Sequence, residues 1–533
     1  MTRAVAVIRH ATGCARARAA TVACLPPPAA LTLLCLLAAA QVPAAAWGRS
    51  GLAYPLVFVQ EPAELSQGGS RVVALDPGGG LTVLTEGFHA AADPCVSFDG
   101  TWVLFAGKLR ASDPFEVWEM AVDGSRKVRV TSGMEDCREP AYLGRAAVDA
   151  PEFRDRVRWV TFVSAVPQAV DELGRGPLTA LYALSLEPVP GRGTVVWRTT
   201  YNLGGDRAPT VLGDGRVLFS SWQRDGYALM TMSWAGEDLN PFFGSHDGPV
   251  SQLSACEVAA SRRVVFVERD GDAGDGSGQL VEVSLRRPLH SRRVLGGGPG
   301  RYRTPQATPE GRLLVAHAQN QGTYGLYLFD EEKGRPGPVL FDAPDWHDVD
   351  PQPVAPRPEP TGRIPMVSFA SVLDVGGFHG AGQLQCMSVY ETDRPEVARI
   401  GVGQVKAVRL VEGIPLSPAE AQHGQRTPPA VGTWPPPFVR TRPLGEAPVE
   451  ADGSFYVNVA GDVPFYIESL GEGGEVLATM RAWTWVRSGD QRGCIGCHEN
   501  KELAPPNRAT EALIKGEAAW MLGPRQQEEA EAH

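Results

Sequence analysis

The fold is decided by residues 97–108, SFDGTWVLFAGK, together with residues 116–125, EVWEMAVDGS. Asp99-Gly100 is a strong turn signal, and the run 102–105 after it is rich in residues that favour β-strands. A second short strand follows at 116–121, and Asp123-Gly124 ends it with another turn. The stretch therefore predicts a meander of short antiparallel strands.

The same sequence pattern recurs along the chain. Each copy has a start mark, usually an X-Pro pair, then a turn and an apolar strand, as in Ala208-Pro209 followed by 213–219. The marks are 46, 69, 47, 49 and 46 residues apart. A period in the forties with four short strands per unit is typical of a β-propeller blade, and a β-sandwich with coincidental turns is the alternative. The marks are Asp93, Glu139, Ala208, Ala255, Thr304 and Asp350.

The two ends of the array predict how the ring closes. The segment Tyr54–Val59 matches the second strand of a blade, and residues 350–354 could supply the missing first strand. Pairing the chain ends removes the exposed sheet edges that an open array would have to protect. We therefore expect six blades, with 350–358 beside 54–60.

Composition sets the class of protein. The chain has 533 residues, is 43% hydrophobic, and contains 60 Gly and 45 Pro without a collagen-like period. These values exclude wholesale disorder and favour many short strands. The net charge of −11 argues against nucleic acid as the partner, because phosphate binding requires clustered Lys and Arg.

The first 46 residues have the features of a cleaved signal peptide. Four arginines precede a 12-residue apolar run at 29–40, and Ala44-Ala45-Ala46 offers a small-residue cleavage site. An uncleaved anchor is the alternative, although the run is short for a membrane span. We expect export to the periplasm or another extracytoplasmic compartment, without stable membrane insertion after cleavage. Six cysteines would remain in the exported chain.

Strand signals continue after the repeats end. Residues 351–360 are rich in proline and are predicted to link two domains. Alternating segments at 405–410 and 454–459 predict a small antiparallel β-sandwich. The predicted organisation is a signal peptide at 1–46, a propeller at 47–358, a sandwich at 359–488, and a haem motif with a partly helical tail at 489–533.

The strongest chemical motif is Cys494-Ile495-Gly496-Cys497-His498. This C-x-x-C-H spacing is that of covalent c-type haem attachment, in which two thiols bind the vinyl groups and the histidine binds iron. A C-x-x-C disulfide and half of a zinc site are the alternatives, but no second Cys/His pair follows nearby. Export agrees with haem, because covalent attachment is generally completed outside the cytoplasm. We expect one covalent haem c.

Two resemblances support these expectations. The stretch 97–125 resembles the repeat of TolB-type and WD40-like propellers. The segments 444–455, 479–483 and 493–499 resemble the hydrazine synthase alpha-subunit family, whose members join a TolB-like propeller to a middle domain carrying C-x-x-C-H. This resemblance implies an all-β, six-bladed propeller followed by a sandwich and a haem-binding tail. The tyrosine that the family carries shortly after the motif is absent, and Glu502 stands in that neighbourhood.

Other candidate residues follow from general chemistry. A sixth iron ligand could come from His347, His379, His423 or Met480, and His379 is preferred because glycines flank it. Cys95 and Cys137 stand near the starts of adjacent blades, so a disulfide between them is predicted. Cys256 stands at the same level of another blade. Instead of taking part in a disulfide, it could be a buried small apolar residue.

Two classes of function are consistent with these observations. The first is an exported single-haem c-type cytochrome that transfers electrons to or from a redox partner protein, with the propeller as a docking platform. The second is a haem enzyme of hydrazine-synthase-like type, whose open iron site faces the central channel. A propeller scaffold without haem is a third alternative.

Overall fold

The computed structural model describes most of the chain from Leu52 to Met521. The described ranges are 52–64, 69–145, 157–244, 249–271, 274–296, 300–361, 380–423, 433–497 and 506–521. The predicted signal peptide at 1–46 lies outside them. Within these ranges, no helix has the length and apolar character that crossing a membrane requires.

Six four-stranded antiparallel sheets form the first part of the chain. The first sheet contains β1 (Leu56–Pro62), β2 (Arg71–Leu75) and β3 (Leu81–Val83). The next two contain β4 (Ala90–Val96), β5 (Trp102–Lys108), β6 (Glu116–Ala121), β7 (Val128–Arg129), then β8 (Cys137–Leu143), β9 (Trp159–Val170), β10 (Pro177–Ser185), β11 (Val196–Arg198). The following two contain β12 (Asp206–Val211), β13 (Val217–Gln223), β14 (Gly226–Met232), β15 (Asn240–Phe243), then β16 (Val250–Val258), β17 (Arg263–Asp270), β18 (Gln279–Ser284), β19 (Arg293–Val294). The last contains β20 (Gly300–Ala307), β21 (Leu313–Gln319), β22 (Gly325–Asp330) and β23 (Arg335–Phe341), and β24 (Trp346–Pro353) follows it.

Strand β24 joins the two ends of the array. It pairs antiparallel with β1, with Val57 opposite Gln352 and Gln60 opposite Asp348, and so completes the first sheet. It also contacts the innermost strands of both neighbouring sheets, β20 and β4. The predicted pairing of the two chain ends is therefore confirmed, although the paired residues are 346–353 with 56–62 rather than 350–358 with 54–60. The six four-stranded sheets agree with the predicted blade count.

The six start marks share a backbone conformation that the sequence did not reveal. Each innermost strand has a register shift at its mark, and the residue there has a positive φ between 42° and 55°. In the fifth blade this residue is Ser254, one position before the predicted mark. Because left-handed backbone costs about 1–2 kcal/mol for a non-glycine residue, the surrounding sheet must hold it in place.

Hydrogen bonds from one mark to the next hold several of these bulges. The carboxylate of Asp93 accepts a hydrogen bond from the backbone N–H of Glu139 at 3.0 Å, and Glu139 accepts one from Ala208 N–H at 2.5 Å. Thr304 Oγ1 accepts a third from Asp350 N–H at 3.0 Å. Side chains at the marks therefore link neighbouring blades around the inner ring.

The second part of the chain is a two-sheet sandwich. One sheet has the order β31-β25-β28-β32 and the other β27-β26-β29-β30, with a short helix α1 in one connection and α2 before the last strand. The elements are β25 (Ala381–Ser388), β26 (Ala407–Pro415), α1 (Pro418–His423), β27 (Val439–Pro448), β28 (Phe455–Ala460), β29 (Phe465–Leu470), β30 (Val476–Thr479), β31 (Gln491–Gly496), α2 (Glu511–Lys515) and β32 (Ala519–Met521).

Two edge strands differ from the predicted antiparallel sandwich. Strand β31 pairs parallel with β25, and β32 pairs parallel with β28. Both strands lie beyond residue 488, so the sandwich includes the segment that was predicted as a separate haem-binding tail. The predicted helical tail contains only α2 within the described residues and returns to the sheet at β32. Parallel pairing of this kind depends on long connections, which local patterns do not specify.

Four buried carboxyl groups predict how stability depends on pH. Burial raises the pKa of Asp206 to about 6 and the pKa values of Glu172, Asp348 and Asp350 to about 7. The ordinary pKa values of these groups lie near 4. Between about pH 4 and pH 7, the folded chain therefore binds protons more tightly than the unfolded chain. Folding is therefore favoured as the pH falls through 7.

We expect the melting temperature to rise by roughly 5 °C between about pH 8 and pH 6, measured by circular dichroism. Burial lowers the pKa values of His317 and His347, and these groups oppose the gain only below the ordinary histidine value of 6.5. Glu172→Gln removes one of the carboxyls and should flatten the dependence. A melting temperature that is lower at pH 6 than at pH 8 would contradict the burial of these groups.

Candidate haem-attachment site

The C-x-x-C motif begins on an edge strand of the sandwich. Strand β31 carries Cys494 and ends at Gly496, and Cys497 follows directly. The parallel register places Cys494 opposite Cys386 of β25. Both motif cysteines are partly buried, whereas Cys386 is only 3% exposed. The motif is therefore held at the border between the sandwich core and solvent.

Apolar side chains surround the two motif cysteines. Both pack against the buried cluster of the sandwich, to which Leu384, Val389 and Val405 belong. Tyr390 is a partly buried member of the same group. Because a porphyrin is large and apolar, two partly buried thiols on an apolar cluster suit its attachment by two thioether bonds.

Gly496, between the two cysteines, has a packing requirement. A Cβ at this position would lie 2.0 Å from the backbone oxygen of Glu391 and 2.6 Å from its Cβ. No side chain fits there without moving the backbone of the segment that follows β25. Glycine therefore allows the motif to approach the neighbouring chain closely.

The structure describes only some of the predicted iron ligands. His498 and His379 lie outside the described residues, as does the side chain of His423. Met480 lies just after β30, on the opposite sheet from Cys494, and is 37% exposed. His347 is in the propeller, where its Nδ1 accepts a hydrogen bond from the backbone N–H of Tyr324 at 3.2 Å. The axial ligands therefore remain predictions.

The predicted disulfide between Cys95 and Cys137 is not formed, and both residues are thiols. The bulges explain why. Cys95 follows its bulge, and its equivalent in the next blade is Ala141, whereas Cys137 comes before the bulge in its strand. The two cysteines are thus four positions apart along equivalent strands, or roughly 13 Å at the usual rise per residue. Such a separation is too large for a disulfide. Cys256 is buried, and burial raises its pKa to about 12, as expected of a buried apolar residue.

The segment before β31 attaches the sandwich to the propeller. Trp483 Nε1 donates a hydrogen bond to Glu172 Oε2 at 2.6 Å. Trp485 packs in one buried cluster with Trp159 and Trp234 of the propeller. Arg487 Nη1 donates to the backbone oxygen of Arg198 at 2.7 Å. The strand carrying Cys494 therefore starts a few residues after a fixed interface.

Two ion pairs involve charged side chains on the inner strands of the propeller. Arg138 Nε contacts Asp93 Oδ2 at 2.6 Å, and Arg303 Nη1 contacts Glu61 Oε2 at 2.9 Å. The predicted haem enzyme would have its iron site facing the central channel of the propeller. The predicted orientation of an open iron site towards this channel depends on His498, which lies outside the described residues.

Comparison with known proteins agrees with the position of the motif. Residues 403–499 match the family model described as the hydrazine synthase alpha subunit middle domain. This segment contains both motif cysteines and His498. Hydrazine synthase subunit alpha from Kuenenia stuttgartiensis is 28% identical over 510 residues, which cover 81% of this chain and 62% of that protein. This chain is related to the hydrazine synthase alpha subunit. The predicted resemblance is therefore confirmed.

Solved structures extend the comparison. The structure of Kuenenia stuttgartiensis hydrazine synthase matches with a TM-score of 0.76 and 25% identity, covering 87% of this chain and 71% of that chain. TolB from Acinetobacter baumannii matches with a TM-score of 0.41 and 11% identity, covering 58% of this chain and 68% of that chain. The 28% identical relative is longer than this chain, which spans less than two thirds of that protein's length.

Sequence reasoning missed one residue at the site. Cys386 lies 108 positions before Cys494 in the sequence, yet it stands directly opposite Cys494 in the sheet. Buried and partly buried residues alternate along 381–388, and Cys386 is among the buried, inward-facing ones. Nothing in the sequence identifies β31 as its neighbour.

Proposed function

We propose that this chain is an exported c-type haem protein that transfers electrons, with one haem attached to Cys494 and Cys497 and with His498 as an axial ligand. The observation that carries the proposal is the placement of both thiols, partly buried on an apolar cluster, within the segment that matches the hydrazine synthase alpha middle domain. When bound, haem supplies reversible one-electron exchange at iron.

The chain's own residues would hold and shield the group. Cys494 and Cys497 supply the two thioether sulfurs, and Gly496 lets the motif lie against the segment after β25. The apolar cluster that includes Leu384 and Val405 excludes water from one side. The partial exposure of the cysteines puts the attachment point near the surface, where a redox partner protein can approach, and the propeller offers a docking platform.

A haem enzyme of hydrazine-synthase-like type is the second candidate. The observation that favours it is the 28% identity to a protein named as a hydrazine synthase subunit, which extends over 81% of this chain. The word subunit also suggests partner subunits for this chain. The two candidates differ in whether the sixth position of iron is filled by the protein or open to small molecules.

Carbon monoxide distinguishes the two candidates. For an electron carrier with a filled sixth position, we expect sharp low-spin bands in the reduced protein that carbon monoxide does not shift within minutes. The measurement is the optical spectrum of the reduced, haem-loaded full chain before and after addition of the gas. Rapid conversion to a carbon monoxide complex would reject the carrier and support the enzyme.

A further inference from the structure

We propose that Cys386 forms a disulfide with Cys494 in the haem-free protein under oxidising conditions. Cys494 would then be withheld from haem until the bond is reduced. The consequence for haem rests on the proposed function, whereas the disulfide itself rests only on the fold.

The sheet register supplies the geometry. Cys386 and Cys494 are direct partners in the parallel pairing of β25 with β31, within a run that extends from Gln383–Gln491 to Ser388–Gly496. Neighbouring strands lie about 4.8 Å apart, and direct partners point to the same face of a sheet. Disulfides join residues whose Cα atoms are about 4.4–6.8 Å apart. The Cα separation expected of direct partners therefore falls within the range that a disulfide can bridge.

Packing places both sulfurs on the same side. Cys386 is part of the buried sandwich cluster, and Cys494 packs against that cluster from the edge strand. Cys386 is shielded, since it is 3% exposed, whereas Cys494 is partly exposed. An external oxidant therefore reaches Cys494 first, and Cys386 is positioned to attack it from inside.

A small disulfide such as oxidised glutathione can act as the oxidant that forms the Cys386–Cys494 bond. The Cys494 thiolate attacks oxidised glutathione, forming a mixed disulfide and releasing one glutathione thiolate. The Cys386 thiolate then attacks the Cys494 sulfur, forming the protein disulfide and releasing the second glutathione. The protein loses two electrons and two protons, and one oxidised glutathione becomes two reduced molecules.

Two other arrangements of these cysteines compete with the proposal. Cys497 could pair with Cys494 within the motif, but it follows the end of β31, whereas Cys386 lies directly opposite Cys494 in the sheet register. A shared metal ion is the second alternative; within the described residues, no three ligating side chains are grouped to hold one. The remaining described cysteines, Cys95, Cys137 and Cys256, lie in the propeller.

The test uses the full chain made without a c-type maturation system. The protein is incubated with oxidised glutathione, alkylated, digested without reductant and mapped by mass spectrometry. We expect a Cys386–Cys494 cross-linked peptide that disappears on reduction. The peptides of Cys137 and Cys256 should stay alkylated, because these thiols have no cysteine in register with them. A Cys494–Cys497 link, or alkylation of all three sandwich cysteines, would overturn the proposal.

A second measurement tests whether the disulfide limits the attachment of haem. When a maturation system is present and thiol reductant is limiting, Cys386→Val should raise covalent haem at least threefold over the wild type. Cys256→Val is the matched control, since Cys256 is also 3% exposed, and it should leave haem unchanged. An equal haem content in the wild type and both variants would overturn the proposal that the disulfide keeps Cys494 from binding haem. If no variant carries haem although the cross-link forms, the proposed function fails and the disulfide stands.

Discussion

Replacing Cys494 and Cys497 together by serine should abolish covalent haem. Serine is close to cysteine in size but cannot form a thioether bond, and the two residues are only partly buried, so the sandwich should keep its fold. The measurement is peroxidase staining after denaturing electrophoresis of protein made with a working c-type maturation system. We expect a strong band for the wild type and a loss of at least 95% of the stain for the double variant.

The matched control is Cys137→Ser together with Cys256→Ser. These cysteines lie in the propeller, and Cys137 already contacts the hydroxyl of Ser164, so a second hydroxyl is tolerated there. The control should stain like the wild type. Stain that persists in the Cys494 and Cys497 variant, or that is absent from the wild type, would contradict haem attachment at the motif.

The second large effect is expected at the contact between propeller and sandwich. Trp483 is 5% exposed, its ring lies 5.0 Å from that of Trp434 and 5.6 Å from that of Tyr466, and its Nε1 donates to Glu172. Replacing a buried tryptophan by alanine costs about 3–5 kcal/mol. Loss of the donor also leaves the buried Glu172 carboxyl with one fewer hydrogen bond, which costs about 1–3 kcal/mol.

Trp483→Ala should therefore lower the melting temperature by roughly 5 °C, measured by circular dichroism. Trp483→Phe keeps much of the packing but removes the hydrogen bond, and it should give an intermediate loss. The matched control is Trp520→Ala, because Trp520 is 59% exposed and its truncation should cost less than about 0.5 kcal/mol. Equal melting temperatures for Trp483→Ala and Trp520→Ala would show that the interface contributes nothing to stability.

The sequence predicted the propeller well because its signals are local. Turns such as Asp99-Gly100 and marks such as Asp350-Pro351 act within a few residues, and their period identifies a blade without knowledge of distant contacts. The closing pair of β1 and β24 was also predictable, because one blade lacked a strand and the chain ends supplied it. Local chemistry thus determined the blade count.

The site was less predictable because its geometry depends on distant contacts. The disulfide predicted for Cys95 and Cys137 was wrong because a bulge in each strand sets which residues are equivalent, and spacing alone does not reveal it. The neighbours Cys386 and Cys494 come together through a parallel pairing across 108 residues. The C-x-x-C-H motif was recognisable because its own spacing carries the chemistry.

The most direct test of haem attachment is the intact mass of the purified full chain under denaturing conditions. The protein should be made with a c-type maturation system and treated with reductant and a thiol-alkylating agent. We expect the mass of the chain plus one haem, with alkyl groups absent from Cys494 and Cys497. The mass of the chain without haem, with both motif thiols alkylated, would contradict the assignment.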